Sequence, residues 1–374
     1  MRIGFNALTL RDPSRRGFNR YTHGLATALA ALGDDIVLLS DTPVHPSFLE
    51  GLPARVVVVA SSRHLWWEQV VLPRLIRELE LDVFHAPASV GLPLAKRCAY
   101  VLTVHDVIGR AAPHLVGQAP ALARLHHWAR ERISLRRADA IITESDHARR
   151  DITRWLDVTP ERITVIPGGA DPRFRPLEAA AAGVVAVRHG LGRPYLLYVG
   201  GLDRRKNVGA LIEAYAASRA RAEADLVLVG ERTPEWQALS ARAAALGVGA
   251  RTRFLGYVPD EDLPALYTGA ALFVYPSLYE GFGLQLVEAM ACGVPVIAAN
   301  CTSLPEVLAG AGMLVDAGDA PALAAAIDAV LFDPALAARL RERGLRVAEP
   351  LTWERAARRT RDVYRMAMDG ARRH

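Results

Sequence analysis

The sequence predicts an α/β protein of two Rossmann-like, doubly wound domains, each a parallel sheet covered by helices on both faces. Three observations carry that expectation. The chain has 374 residues, more than one typical domain holds, and two domains of roughly 180 residues each fit that length. Short, apolar, β-prone runs alternate with helical patterns along it, as in sheets wound by crossover helices. The alternation breaks once, where Pro167, Gly168, Gly169, Pro172 and Pro176 make an extended connection before an Ala-rich stretch. The boundary is therefore expected near 178–193, with one domain over 1–180 and another over 190–353.

In chain order, Arg2 to Asn6 reads as a strand, RDPSRRGFNRY as a loop, and Tyr21 to Leu32 as a helix stopped by Gly33. Ile36 to Ser40 and Arg55 to Ala60 read as strands. Leu65 to Leu79 reads as a helix that Pro73 kinks or divides. Asp82 to His85 and Tyr100 to His105 follow as strands. Leu122, Leu125, Ala129 and Ile133 then fall at helical spacing. Ala140 to Thr143 and Ile163 to Ile166 complete the first series. Tyr195 to Val199 opens the second, continued by Asp225 to Val229, Thr252 to Leu255, Leu272 to Tyr275 and Val294 to Ala298.

Composition excludes several classes. Hydrophobic residues make up 51%, which supports a substantial core. The net charge of +5 comes without a zinc-ligand set, an RNP-type aromatic motif or a dense basic run, so no nucleic-acid partner is expected. Three cysteines, Cys98, Cys292 and Cys301, are too few for a disulfide framework and point to a reducing, cytoplasmic compartment. The N-terminus reads as a strand and not as a secretory leader, and no apolar run reaches the length of a spanning helix.

Chemistry concentrates in the second half. Phe273 to Ala298 reads as strand, loop, helix and strand, with Gly281, Phe282, Gly283 and Leu284 at the loop–helix junction. Glycines beside a helix N-terminus expose N–H groups to an anion. Glu280 in the loop and Glu288 in the helix suit sugar and ribose hydroxyls, since carboxylate oxygens accept from neighbouring hydroxyls. As lone residues they would read as a helix-dipole partner and a solvated glutamate. Gly200, Gly201, Leu202, Asp203, Arg204, Arg205, Lys206 and Asn207 follow a strand, with glycines for close approach and Arg205 and Lys206 for a diphosphate. The alternative is a βα turn with a basic solvated face. In the first half, His105 stands at a strand end, either against a ligand or as a cap. Gly17 and Asn19 form a second candidate anion loop before a helix. Asp260, Glu261 and Asp262 read as helix-start residues, and no metal site is expected. Arg124, Arg130, Arg132, Arg136 and Arg137, with Trp66 and Trp67, read as a solvated side in preference to a membrane-surface contact.

Together, PSLYEGFGLQLVEAMACGVPVIAAN, SLPEV, YVGGLDRRKN, TVHD, IITESDHARRDI and VIPGGADPRF resemble the retaining glycosyltransferases of family 4, in the family's order and over nearly the whole chain. The resemblance implies a GT-B fold of two domains facing a cleft, with the last helix, about 354–370, packed back on the first domain. It implies that Arg205 and Lys206 hold the donor diphosphate, Glu288 the ribose and Glu280 the donor sugar, with His105 beside the reacting centre. Gly200, Gly201, Gly281, Phe282, Gly283 and Leu284 line the donor. It further implies a nucleotide-sugar co-substrate, no cofactor or metal, a saccharide or lipid-linked acceptor, and work at the inner face of a membrane with a peripheral contact there. Mannose from GDP-mannose comes first and UDP-glucose next. A sugar-nucleotide epimerase or hydrolase, and an inactive sugar-nucleotide-binding subunit, are the alternatives. Two positions depart from the family pattern. Asn19 stands where a glycine is usual and is read as tolerating a positive φ. Gln285 replaces a proline, with little effect expected.

Overall fold

A computed structural model describes residues 1–11, 16–61, 63–117 and 119–371. Asp12, Pro13, Ser14 and Arg15 of the expected first loop lie outside the described residues. The chain forms two compact units, one of Met1–Ala111, Gly117–Gly169 and Trp353–His374, the other of Ala112–Val116 and Ala170–Thr352.

The first unit holds seven strands: β1 (Arg2–Asn6), β2 (Asp35–Ser40), β3 (Ala54–Val58), β4 (Val83–Ala86), β5 (Ala99–Thr103), β6 (Ala140–Thr143) and β7 (Ile163–Val165). They lie in the order β3-β2-β1-β4-β5-β6-β7, with every pair parallel. The second unit holds β8 (Tyr195–Val199), β9 (Asp225–Val229), β10 (Thr252–Gly256), β11 (Leu272–Tyr275), β12 (Val296–Ala299) and β13 (Met313–Val315). Their order is β10-β9-β8-β11-β12-β13, again all parallel. The central strands are nearly continuous apolar runs because helices cover both faces; all residues of β4, β5, β8, β9 and β11 are buried, the polar His85, Thr103 and Asp225 among them. Strand order reverses between β1 and β4 and again between β8 and β11. Those are the switch points where ligands of such sheets bind.

Several expectations change. The division falls at Gly169, not at 178–193. Ala170 pairs with Thr352 and Phe174 packs edge-on against Tyr267, so the extended connection from Ala170 onward and the Ala-rich helix Ala179–Arg188 belong to the second unit. The first helix starts earlier than expected, at Arg16, and runs to Ala31. Gly17 and Asn19 are therefore helical, and neither has a positive φ. Pro73 is accommodated by a π-helical turn at Trp67–Val71 that precedes the helix Leu72–Glu78. Trp67 is fully buried and only Trp66 is exposed. The helix Ala121–Arg137 forms, but Leu122 and Leu125 face outward, 79% and 60% exposed, while Ser134 and Leu135 are buried. Its Arg130 pairs with the buried Glu68 and does not join a solvated side.

The helix Trp353–Ala371 completes the first unit. Its Ala356, Ala357, Thr360, Val363, Tyr364 and Ala367 recur at helical spacing and are all buried. Trp353 stands edge-on to Tyr21 with ring centroids 5.8 Å apart. Gly24 leaves room for that indole, since a Cβ there would lie 2.4 Å from its Cε2. Arg361 pairs with Asp34 at 3.2 Å, and the Tyr364 hydroxyl meets His85 Nδ1 at 2.7 Å.

Candidate active site

In the second unit the loops after β8 and β11 meet at the switch point. The Leu278 N–H donates to the Arg205 carbonyl at 2.8 Å, and Asn207 Nδ2 donates to the Pro276 carbonyl at 3.2 Å. The first loop approaches its other neighbour closely as well: a Cβ on Gly230, after β9, would lie 2.1 Å from the Gly200 carbonyl oxygen. Asp203 accepts from the Arg205 N–H at 3.2 Å. A short 3-10 turn, Arg204–Lys206, then closes on Asn207 at φ 55°, which directs Arg205 and Lys206 at the second loop.

There they converge on Glu280. Lys206 Nζ lies 2.5 Å from Oε1 and Arg205 2.9 Å from Oε2. The Ser277 hydroxyl donates to Oε1 at 2.6 Å, and the Tyr275 hydroxyl lies 3.0 Å from it. Lys206 also donates to the Tyr275 hydroxyl at 2.7 Å and sits 5.0 Å from that ring's centroid. Burial pushes the Glu280 carboxyl up, but Lys206 and Arg205 outweigh it and bring it down to about 2. Lys206 is itself lowered, because burial, helped by Arg205, outweighs the attraction of Glu280. Two cations face one carboxylate, so the cluster carries net positive charge beside a helix N-terminus.

That helix, Leu284–Ala291, is capped by Gly283 at φ 104°. A Cβ there would be both strained and 3.0 Å from Leu304. The Ser303 hydroxyl holds the loop from below, donating to the Glu280 and Phe282 carbonyls at 3.0 and 2.8 Å. Glu288 is buried further along the helix and accepts from the Tyr267 hydroxyl at 3.2 Å. The structure thus brings Arg205, Lys206 and Glu280 together, with Gly281 to Leu284 beside them, and gives Glu288 a different neighbour. Sequence reasoning missed Tyr275, Ser277 and Ser303. It also discounted Gln285, whose Oε1 lies 3.1 Å from the Tyr275 hydroxyl; the signal was the departure from proline itself. Asp262 stands at the N-cap of the helix Leu263–Gly269, as expected, but its side chain pairs with Arg188 and His189, each at 2.8 Å, in place of the helix N–H groups. Among the described residues no group of three or more His, Cys, Asp or Glu is placed to hold a metal ion.

In the first unit His105 follows β5 and is 8% exposed. Nδ1 lies 2.5 Å from Glu144 Oε2 and Nε2 2.9 Å from the Pro87 carbonyl. Phe18 and Tyr21 stand edge-on to the ring at 4.8 and 4.7 Å. Burial works against the charged ring, but Glu144 outweighs it and raises the His105 pKa. Gly17 is exposed and Asn19 buried in the helical turn that carries Phe18.

Two all-parallel, doubly wound units are the architecture of the GT-B class of fold. Residues 185–347 match the description "Glycosyl transferases group 1" and residues 15–174 "Glycosyltransferase Family 4". The chain is 39% identical over 300 residues to the O-antigen chain mannosyltransferase B of Escherichia coli, covering 78% of this chain and 76% of the relative. It is 33% identical over 396 residues to a glycogen synthase of Mycobacterium tuberculosis, covering 95% and 92%. The fold is shared with the Anabaena protein HepE in complex with UDP-glucose, at a TM-score of 0.81 and 20% identity over 97% of this chain and 99% of that one. The chain belongs to the family 4, group 1 glycosyltransferases. Among the described residues no single helix is long and apolar enough to cross a membrane.

Proposed function

We propose that this glycosyltransferase moves a hexose, mannose first, from a nucleotide sugar to a hydroxyl acceptor in surface polysaccharide or glycolipid synthesis, with retention at the anomeric carbon. The observation that carries the reading is the convergence of Arg205 and Lys206 on Glu280 beside the Gly283 helix start. As the bond to the diphosphate breaks, negative charge grows on the leaving group. Fixed cations and helix N–H groups stabilise such charge, without requiring a metal. Glu280 is already committed to two cations, so it positions the sugar and is not assigned as a nucleophile. Retention follows from same-face substitution in which the leaving phosphate takes the acceptor's proton. Glu288 takes the ribose, and His105 is the first unit's candidate for contact with substrate. The mannosyltransferase relative supports mannose as the sugar, for which GDP-mannose is the first donor to test; the HepE complex with UDP-glucose keeps UDP-glucose as the second donor.

A lipid-linked acceptor would bring the protein to a membrane. The helix Ala121–Arg137 offers a contact for an anionic lipid surface, with Leu122, Leu125 and Trp128 exposed beside Arg124, Arg132 and Arg136. The test is turnover of GDP-mannose and UDP-glucose against mannose-terminated acceptors, with and without anionic vesicles, the product's anomeric configuration being read by NMR. Lys206→Ala and Glu288→Ala are expected to lower kcat/KM by about 100-fold or more. Unchanged turnover in both removes the site assignment, product formed without acceptor favours a hydrolase or epimerase, and no sedimentation with vesicles removes the membrane contact.

A further inference from the structure

His105 is gripped from three strand ends. Its ring meets the Pro87 carbonyl after β4 and the Glu144 carboxylate after β6, while the residue itself follows β5. The Pro87 carbonyl only accepts, so Nε2 carries hydrogen, and with Glu144 as a carboxylate Nδ1 carries one too. Phe18 and Tyr21 fix the ring plane from the side. Glu144 is itself immobilised. The Thr143 hydroxyl donates to the Val104 carbonyl at 2.7 Å, Ser145 caps the following helix, Asp146–Leu156, and Glu144 is 7% exposed.

We propose that Glu144 is a positioning residue for substrate bound at the first unit: it holds His105 as an imidazolium, whose Nε2–H donates a hydrogen bond to a hydroxyl oxygen of that substrate in place of the Pro87 carbonyl. His105 then supplies a fixed positive charge and one donor, and does not abstract the acceptor's proton. The inference rests on the glycosyltransferase reading for its functional half.

The groups facing the ring agree. Glu144 and Asp106 favour the cation, while burial opposes it, and the net direction is upward. His85, on β4, is pushed down to about 3 by burial and by His105, so it adds no competing charge. The Tyr21 phenol, bonded to the Thr103 hydroxyl at 3.0 Å, is raised by burial and by Glu144 and stays neutral.

The experiment is an NMR titration of the His105 ring in the full chain, paired with the pH profile of kcat/KM, for wild type, Glu144→Gln, Glu144→Asp and His105→Ala. In wild type, His105 should titrate above the ordinary value of about 6.5. Glu144→Gln should lower it and impose a fall in kcat/KM as pH rises through neutrality. Glu144→Asp should restore part of both, and Glu144→Gln should add little in a His105→Ala background. A His105 titration unmoved by Glu144→Gln overturns the proposal. So does a titration that moves while the pH profile does not, which leaves Glu144 a purely structural ion pair. Should the Gln variant not fold, the Asp variant carries the same comparison. If wild type turns over no donor, the glycosyltransferase reading falls, and the titration still decides whether Glu144 sets the charge of His105.

Discussion

Asn19 shows how a single residue changes meaning once its neighbours are known. As a substitute for glycine in a loop it called for a left-handed backbone, yet it lies in the second turn's approach of a helix that begins at Arg16, and it is 1% exposed. The two readings predict opposite outcomes for Asn19→Gly. A left-handed position would gain or stay neutral, whereas a helical one loses about 0.3 kcal/mol, the small gap between Asn and Gly in helix propensity, and the loss of buried side-chain packing adds to it. A lower midpoint in urea unfolding is therefore expected; an unchanged or higher one would restore the loop reading. At this scale, Arg205, Lys206 and Glu280 were legible because they lie in motifs beside glycines that mark a strand–helix turn. Tyr275, Gln285 and Glu144 were not. Tyr275 joins Lys206 across 69 residues, and Glu144 joins His105 across 39. No local pattern encodes either contact.

At the scale of elements, alternation of period and glycine punctuation gave the strands and most helices, but not their order in the sheet. Boundaries failed where tertiary packing overrode them. The Ala-rich helix Ala179–Arg188 follows a run of Pro and Gly, yet its seat is against the helix Leu263–Gly269. Leu122 and Leu125 kept helical spacing while facing outward, because period alone does not say which side is covered. The last helix depends on one small residue. Gly24→Ala would put a methyl inside the Trp353 ring, and overpacking of this kind costs about 1–3 kcal/mol. Calorimetry should show a lowered transition for Gly24→Ala, partly recovered by shrinking the partner in Gly24→Ala/Trp353→Leu. A Gly24→Ala variant as stable as wild type would show that the helix Trp353–Ala371 is seated elsewhere.

For the molecule as a whole, the two units answer acid differently. His85, held neutral and down to about 3, takes up its proton only on unfolding, so the first unit loses stability as pH falls from about 6.5 toward 3. Glu280, held down to about 2, stabilises the second unit above the ordinary carboxylate value and loses that contribution only as pH falls from about 4.5 toward 2. The raised His105 acts in the opposite sense, contributing fully at low pH and losing its contribution as pH rises through its folded value. Acid is therefore expected to loosen the first unit before the second. Trp66, Trp67, Trp128, Trp155 and Trp353 report the first and Trp236 the second. With Trp236→Phe as background, fluorescence should fall off at higher pH than a hydrogen-exchange probe of β8 to β12; coincident curves would sink the assignment.

The seat of Trp353–Ala371 also orders events during synthesis. A ribosome delivers the chain from its N-terminus, and domains generally fold as they emerge. Here the first sheet cannot bury Tyr21, Gly24 and His85 under the helix Trp353–Ala371 until those residues have been made, while residues 170–352 by then hold a closed core of their own. The second unit is thus the first able to finish. Until residues 353–371 emerge, the nascent first unit carries an uncovered apolar groove, so a stop codon near residue 352 is expected to cost more than the loss of one helix would suggest.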